Sequence, residues 1–496
     1  MPETPTLPAD PAKVPASRAN LVLAVLAFAG IVVSLMQTLV IPLVPRLPEL
    51  LDASPANTAW AVTATLLASA VATPVVGRLG DMYGKRRMLL VSLALLTVGS
   101  VVCGLADSLA PIVIGRVLQG LSAGVIPLGI SIMRDELPAE KLTSGTAVMS
   151  ASLGVGGALG LPAAALIADH FDWHLLFWVS AVAGALATAL VVSLVPESRV
   201  RTGGRFDLVG GLGLSAALVC LLLAISKGKA WGWTSGTTLG LFAAGVVILL
   251  VWGAQQLRTS HALVDLRVAA RKQVLFTNLA SVSFGFSMFA MSLVLPQLLQ
   301  LPEATGYGLG QSLLVTGLVL APQGLVMMAM APFSARVSRA RGPKVTLMLG
   351  AVTVAAGYVL NIFLMSQIWQ LVLASCVIGA GVGLAYGAMP ALIMSAVPAS
   401  ETAAANSLNT LMRAVGTSVS SALAGVVLAQ MTTSFGSADV TSQDGFRTVM
   451  AIGAGAALLA LAVASFIPRQ RPLAAGPGAA DAVQEPVPAG SGGKHV

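Results

Sequence analysis

Apolar residues in this chain come in long runs, broken by short clusters of glycine, proline and charge. A hydrocarbon layer of ~30 Å takes about 20 helical residues to cross, so each run predicts a membrane-spanning helix. Fourteen are predicted, over residues 20–43, 58–77, 88–106, 109–133, 143–168, 174–195, 208–226, 235–255, 274–300, 310–333, 345–365, 368–395, 402–430 and 447–467. The fold class that follows is an all-α polytopic membrane protein.

Composition agrees, with 56% hydrophobic and 10% charged residues, more apolar than a soluble core requires. An even number of spans puts both termini on one side. Arg78, Lys85, Arg86, Arg87, Arg134, Lys141, Arg336, Arg339, Arg341 and Lys344 fall on one face, against Arg46, Lys227, Lys229 and Arg447 on the other. The positive-inside bias therefore predicts cytoplasmic termini in the plasma membrane. The net charge of +8 is then topology, and no nucleic-acid partner is expected. Span 1 is too long for a signal peptide and is expected to be retained. Residues 1–19 and 468–496 read as disordered head and tail. Cys103, Cys220 and Cys376 lie within apolar spans and form no CxxC or disulfide framework. Asp169, His170, Asp172 and His174 cluster at the outer end of span 5, where a wet loop outweighs a metal or proton site, and no metal is expected.

The most informative break is Gly77-Arg78-Leu79-Gly80-Asp81-Met82-Tyr83-Gly84-Lys85-Arg86-Arg87. Gly77 and Gly84 allow close approach and a tight turn, and Asp81 can accept from an arginine or a helix N-terminus. Lys85, Arg86 and Arg87 hold the loop inside. The segment resembles the signature between spans 2 and 3 of major facilitator superfamily transporters, and it is expected to gate by latching one bundle to another. Residues 331–344 fall where a second copy is expected, without the acid. The layout becomes six spans (20–195), an inserted pair (208–255) and six spans (274–467). It is similar to the fourteen-spanner drug:proton antiporter family, which implies a major facilitator fold of two six-helix bundles plus two inserted helices.

Further positions carry the resemblance. Arg116-Val117-Leu118-Gln119-Gly120 in span 4 is similar to the family's Arg-x-x-Gln-Gly. Arg116 lies roughly 13 Å inside the outer boundary, so it either serves a wet cavity or is bonded to helix carbonyls. Span 5 reads Gly154-Val155-Gly156-Gly157-Ala158-Leu159-Gly160-Leu161-Pro162. It resembles the antiporter signature with the Gly-Pro pair split, so that Gly160 and Pro162 either bend the helix or mark a small-residue packing face. Asn406, Asn409 and Arg413 share one face of span 13, and Asn278, Gln323 and a Met/Phe set that includes Phe284, Met288, Met291, Met327 and Met328 line spans 9 and 10. Where the family commonly has Leu-Asp-x-Thr, this chain has Leu35-Met36-Gln37-Thr38. No acid then sits mid-membrane, and the cavity is expected to be positive and to favour neutral or anionic ligands over cations.

The substrate-binding set expected is Met36, Gln37, Arg116, Gln119, Asn278, Gln323, Asn409 and Arg413. The resemblance implies a monomeric exporter of lipophilic small molecules, driven by the proton gradient and needing no cofactor beyond it. Uptake or uniport of a neutral or anionic metabolite is the runner-up within transport. A sensor or scaffold lacks a soluble domain here, and an enzyme lacks any catalytic cluster at membrane depth.

Overall fold

The computed structural model describes residues 16–40, 43, 46–198, 200–260, 262–435 and 438–468. The expected head up to residue 15 and the tail from 469 lie outside the described residues, as do Arg199 and His261. Residues 16–19, read as part of the head, are helical instead, because they continue span 1.

Fourteen helices among the described residues are long and apolar enough to cross a membrane. They are span 1 (Ala16–Leu39), 2 (Trp60–Tyr83), 3 (Lys85–Gly104), 4 (Leu109–Glu136), 5 (Ala139–His170), 6 (Leu175–Leu194) and 7 (Leu208–Trp231). The series continues with span 8 (Gly236–Arg258), 9 (Lys272–Gln300), 10 (Leu313–Ala329, extended by Ala331–Arg341), 11 (Pro343–Phe363), 12 (Ile368–Met394), 13 (Thr402–Gln430) and 14 (Gln443–Ser465). Several starts are capped by polar side chains that satisfy first-turn N–H groups: Asp207 accepts from Gly210, Ser235 from Thr238, Ser312 from Val315 and Ser442 from Gly445. A short antiparallel hairpin, β1 (Thr432–Phe435) with β2 (Ala438–Thr441), joins spans 13 and 14 where only a loop was expected.

Two breaks depart from the sequence expectation. The segment 77–87 is helical through Tyr83 and again from Lys85, leaving Gly84 at φ +117° as the turn. Likewise 331–344 is helical except around Gly342, at φ +88°. Asp81 and Lys85 are fully buried and partnered inside the protein, so neither marks a helix end at the water boundary, and the break falls at Gly84 alone.

Each set of six spans has its own core. Leu26, Leu89, Leu93 and Leu128 anchor the first, and Phe284, Leu295, Leu347 and Phe446 the second. The two sets repeat one contact. A Cβ on Gly99 of span 3 would lie 2.6 Å from the carbonyl oxygen of Gly115 in span 4, and one on Gly350 of span 11 would lie 2.6 Å from that of Gly381 in span 12. Both helix pairs cross at backbone contact, which only glycine permits.

The sets meet along two seams, span 2 against span 13 and span 5 against span 10. Over the first lies inserted span 7, whose Leu214, Leu218 and Leu222 share a face packed with Ala70 of span 2 and Leu411 of span 13. The Lys227 ammonium of span 7 stands 4.6 Å from the Trp60 ring of span 2. Span 8 backs span 7, with Trp252 Nε1 donating to the Gly210 carbonyl at 2.8 Å.

Candidate functional site

The residues expected to gate form a closed contact between the two bundles on the basic face. Asp81 accepts from the backbone N–H of Ala404 at 2.8 Å and of Ala403 at 3.2 Å, both in the first turn of span 13. A carboxylate on unpaired N-terminal amides is held by charge-assisted bonds and by the helix dipole together. Gly77 makes the approach possible: a Cβ there would collide with Ser407 and stand 2.9 Å from the Ala403 carbonyl oxygen. Gly80 is occupied in the same way by Leu128.

Lys85 adds a second layer. Its ammonium lies 2.6 Å from Asp135 Oδ2, 4.0 Å from Asp81 Oδ1 and 3.4 Å from the Ala399 carbonyl oxygen. Arg86 donates its backbone N–H to Glu197 and a guanidinium N–H to the Val192 carbonyl at 2.5 Å, whereas Arg87 is exposed. A Cβ on Gly84 would meet Glu197 Oε1 at 2.8 Å. Four participants, Arg134, Asp135, Glu197 and Ser198, lay outside the expected set. Arg134 donates to Thr402 Oγ1 at 2.5 Å and to the Val397 and Pro398 carbonyls at 3.1 and 3.2 Å, crossing to the second bundle, while Ser198 donates to Asp135 at 2.5 Å and Glu197 receives Arg86. The charged run Arg134-Asp135-Glu136 at the end of span 4 was the available signal.

The central residues divide into two separate groups. In the first bundle, Arg116 is buried and donates to the Ala61 carbonyl at 3.1 Å, to the Met36 carbonyl and sulfur at 3.4 Å each, and to Gln119 Oε1 at 2.7 Å. Gln119 in turn donates to Ser100 Oγ at 2.8 Å. Arg116 therefore ties spans 1, 2 and 4 together, and Met36 stands directly beside it. In the second bundle, Asn409 donates to Asn278 Oδ1 at 2.9 Å and to Ser281 Oγ at 2.6 Å. Arg413 donates to Thr410 Oγ1 at 3.1 Å, with its guanidinium 4.6 Å from the Tyr386 ring centre. Gln323 sits where span 10 crosses Gly379 of span 12, and Gln37 is half-buried in span 1. Of the Met/Phe set, Phe284, Met291 and Met327 are buried in the second core and Met328 faces outward, while Phe286, Met288, Phe289 and Met330 are partly open.

Span 5 runs unbroken through Pro162. Its glycines receive neighbours on both sides: Gly156 and Gly160 admit Ser34 and Thr38 of span 1, and Gly154 admits Met327 of span 10. Of the two residues expected to bend the helix, Gly160 packs on span 1 within the first bundle and Pro162 on Gly317 of span 10 at the second seam. At the opposite end of the molecule, His174 sits 2.6 Å from Asp172 Oδ1 through Nδ1 and 3.2 Å from the Ala106 carbonyl oxygen through Nε2. The His174 backbone N–H and ring hold the Asp172 carboxyl below its ordinary range. No cluster of three metal-ligating side chains occurs among the described residues.

Two helical bundles, joined on one face by a charged latch and carrying separate buried polar groups at mid-span, define a multi-pass membrane transporter and not an enzyme. The chain belongs to the Major Facilitator Superfamily, whose family model matches residues 26–421 and, in a second match, 275–492. Among curated relatives it is 27% identical to the multidrug resistance protein Stp of Mycobacterium tuberculosis over 375 residues, 75% of this chain and 68% of that protein. It is 29% identical to the tetracenomycin C resistance and export protein of Streptomyces glaucescens, covering 80% of this chain and 73% of the other. The fold is shared with the human organic anion transporter MFSD10 at a TM-score of 0.62 and 16% identity, over 90% of this chain and 99% of that one.

Proposed function

We propose that this protein exports lipophilic, antibiotic-like small molecules from the cytoplasm across the cell membrane by alternating access, in exchange for protons. The observation that carries the reading is the latch: Asp81 of the first bundle grips span 13 of the second through two N–H groups, on the face that the positive-inside bias makes cytoplasmic. A contact between bundles that one proton can cancel is a two-state element of the kind alternating access needs. Export is supported by the likeness to the tetracenomycin C resistance and export protein, and the drug-like substrate class by the likeness to the multidrug resistance protein Stp. Asp81 accepts directly from the opposite bundle, whereas Asp207 is held by Gln256 Nε2 at 2.6 Å within the inserted pair and Asp135 by Lys85 within the first bundle, so protonation of Asp81 weakens the contact between the bundles.

Inverted membrane vesicles containing the full chain test this. Imposing a pH gradient, acidic inside, should drive uptake of a neutral lipophile such as N-phenyl-1-naphthylamine, and a protonophore should abolish it. Uptake indifferent to both would overturn proton exchange, and uptake equal to that of vesicles lacking the protein would overturn export.

A further inference from the structure

The two mid-membrane arginines are not equivalent. Arg116 makes four contacts to oxygen or sulfur acceptors in spans 1, 2 and 4. Arg413 makes one hydrogen bond, from Nη2 to Thr410, and no ion pair among the described residues. It lies eleven residues into span 13, roughly 17 Å from the end of that helix. Its Nε and Nη1 have no hydrogen-bond partner among the described residues, and the residue is 7% exposed. Its backbone is fixed against Gly285 of span 9, while the guanidinium lies over the Tyr386 ring of span 12. Among the described residues the Tyr386 hydroxyl donates only to the Met288 sulfur, at 3.7 Å.

A guanidinium at this depth is costly unless it is paired or serves a ligand. The ring holds the fork flat without using any of its donors. Met288 supplies an adaptable apolar wall beside it. No carboxylate among the described residues pairs with it. We propose that Arg413 is the ligand-recognising cation of this transporter, positioned by Tyr386, and that it selects lipophilic acids: phenolates, enolates, carboxylates or sulfonates whose apolar body packs on Met288. Arg116 is then structural, and the positive character of the cavity comes from one arginine and not two. This rests on the export reading and names the substrate class within it.

The test compares three probes in inverted vesicles containing the full chain: N-phenyl-1-naphthylamine, its anionic counterpart 8-anilinonaphthalene-1-sulfonate, and the permanent cation ethidium. The wild type should carry the sulfonate at least about tenfold faster than ethidium. Arg413→Gln should lower the ratio of sulfonate to neutral transport by about tenfold or more, Arg413→Lys by about threefold because it keeps charge and loses the fork. Tyr386→Leu should lower the same ratio and Tyr386→Phe should preserve it, since the ring and not the hydroxyl positions the guanidinium. A purely structural Arg413 would depress both rates in parallel, and that result overturns the proposal, as does equal transport of ethidium and the sulfonate. If Arg413→Gln fails to reach the membrane, the ratio in Arg413→Lys decides, and an unchanged ratio there overturns the proposal. Transport of the neutral probe without the sulfonate refutes acid selection and leaves export standing; transport of none of the three by the wild type refutes both.

Discussion

Replacing Asp81 by Asn keeps size and shape while removing the charge that two amides of span 13 share. The Asn oxygen can accept from one of them, but its NH2 group then faces the other donor. The latched arrangement loses one charge-assisted bond, has a second reduced to a neutral one, and forgoes the attraction of the helix dipole, together about 2–4 kcal/mol. That shifts the equilibrium between latched and open cytoplasmic faces by roughly 30- to 1,000-fold. Folding should survive, because Lys85 retains Asp135 at 2.6 Å and the surrounding core is untouched. Spin labels at the exposed positions Glu140 and Arg339, one on each bundle, report the separation of the cytoplasmic ends by pulsed electron resonance once the native cysteines are replaced. Asp81→Asn should add a longer-distance population and reduce transport severely at unchanged membrane abundance. A wild-type distance distribution with wild-type transport would refute the latch.

Other consequences follow from the same contacts. Gly77→Ala should impair transport from the steric side, since its Cβ meets Ser407 and the Ala403 carbonyl; Ser407→Gly in the same chain should restore part of the rate, and no recovery would place the defect elsewhere. Arg116→Ala should cost about 3–5 kcal/mol by leaving buried acceptors unpaired, seen as a lower melting temperature and reduced expression, with Arg116→Lys only partly restoring both because one ammonium cannot reach the acceptors of spans 1, 2 and 4 together. Met36→Asp should raise the melting temperature without creating ethidium transport, because the new carboxylate lies beside Arg116 and is neutralised by it; ethidium export in that variant would show the side chain reaching a cavity instead.

Much of the architecture was legible because the bilayer imposes it. Run length alone finds the spans, and the break at 77–87 announces its chemistry through one acid among glycines and basic residues. What could not be read was partnership across distance. Asp81 and the amides it binds are 322 and 323 residues apart, and no local pattern marks span 13 as their donor, although a helix N-terminus was among the partners considered. The same holds at mid-membrane. Arg116 and Arg413 look alike in sequence, each a lone cation in an apolar run, and only the packed neighbours separate the one held by carbonyls from the one resting on a ring. Helix ends were misplaced where charge was taken to mean water, as at Asp81 and Lys85, which are buried.

The turns at Gly84 and Gly342 set a mechanical asymmetry into the molecule. Both halves keep the same backbone reversal, at φ +117° and +88°, yet the first follows an acid that bolts its seam and the second follows Arg339 and Arg341, exposed and without such a grip. The door has two hinges and a single bolt. Its other edge, where span 5 lies on span 10, is closed by surface fit at Gly154, Gly317 and Gly324, and no ion pair spans it among the described residues. If the bundles part as proposed, unlocking should begin at the bolted edge, beneath the leucine ridge of span 7, and that inserted helix, packed on spans 2 and 13 alike, should then slide on one of its two neighbours.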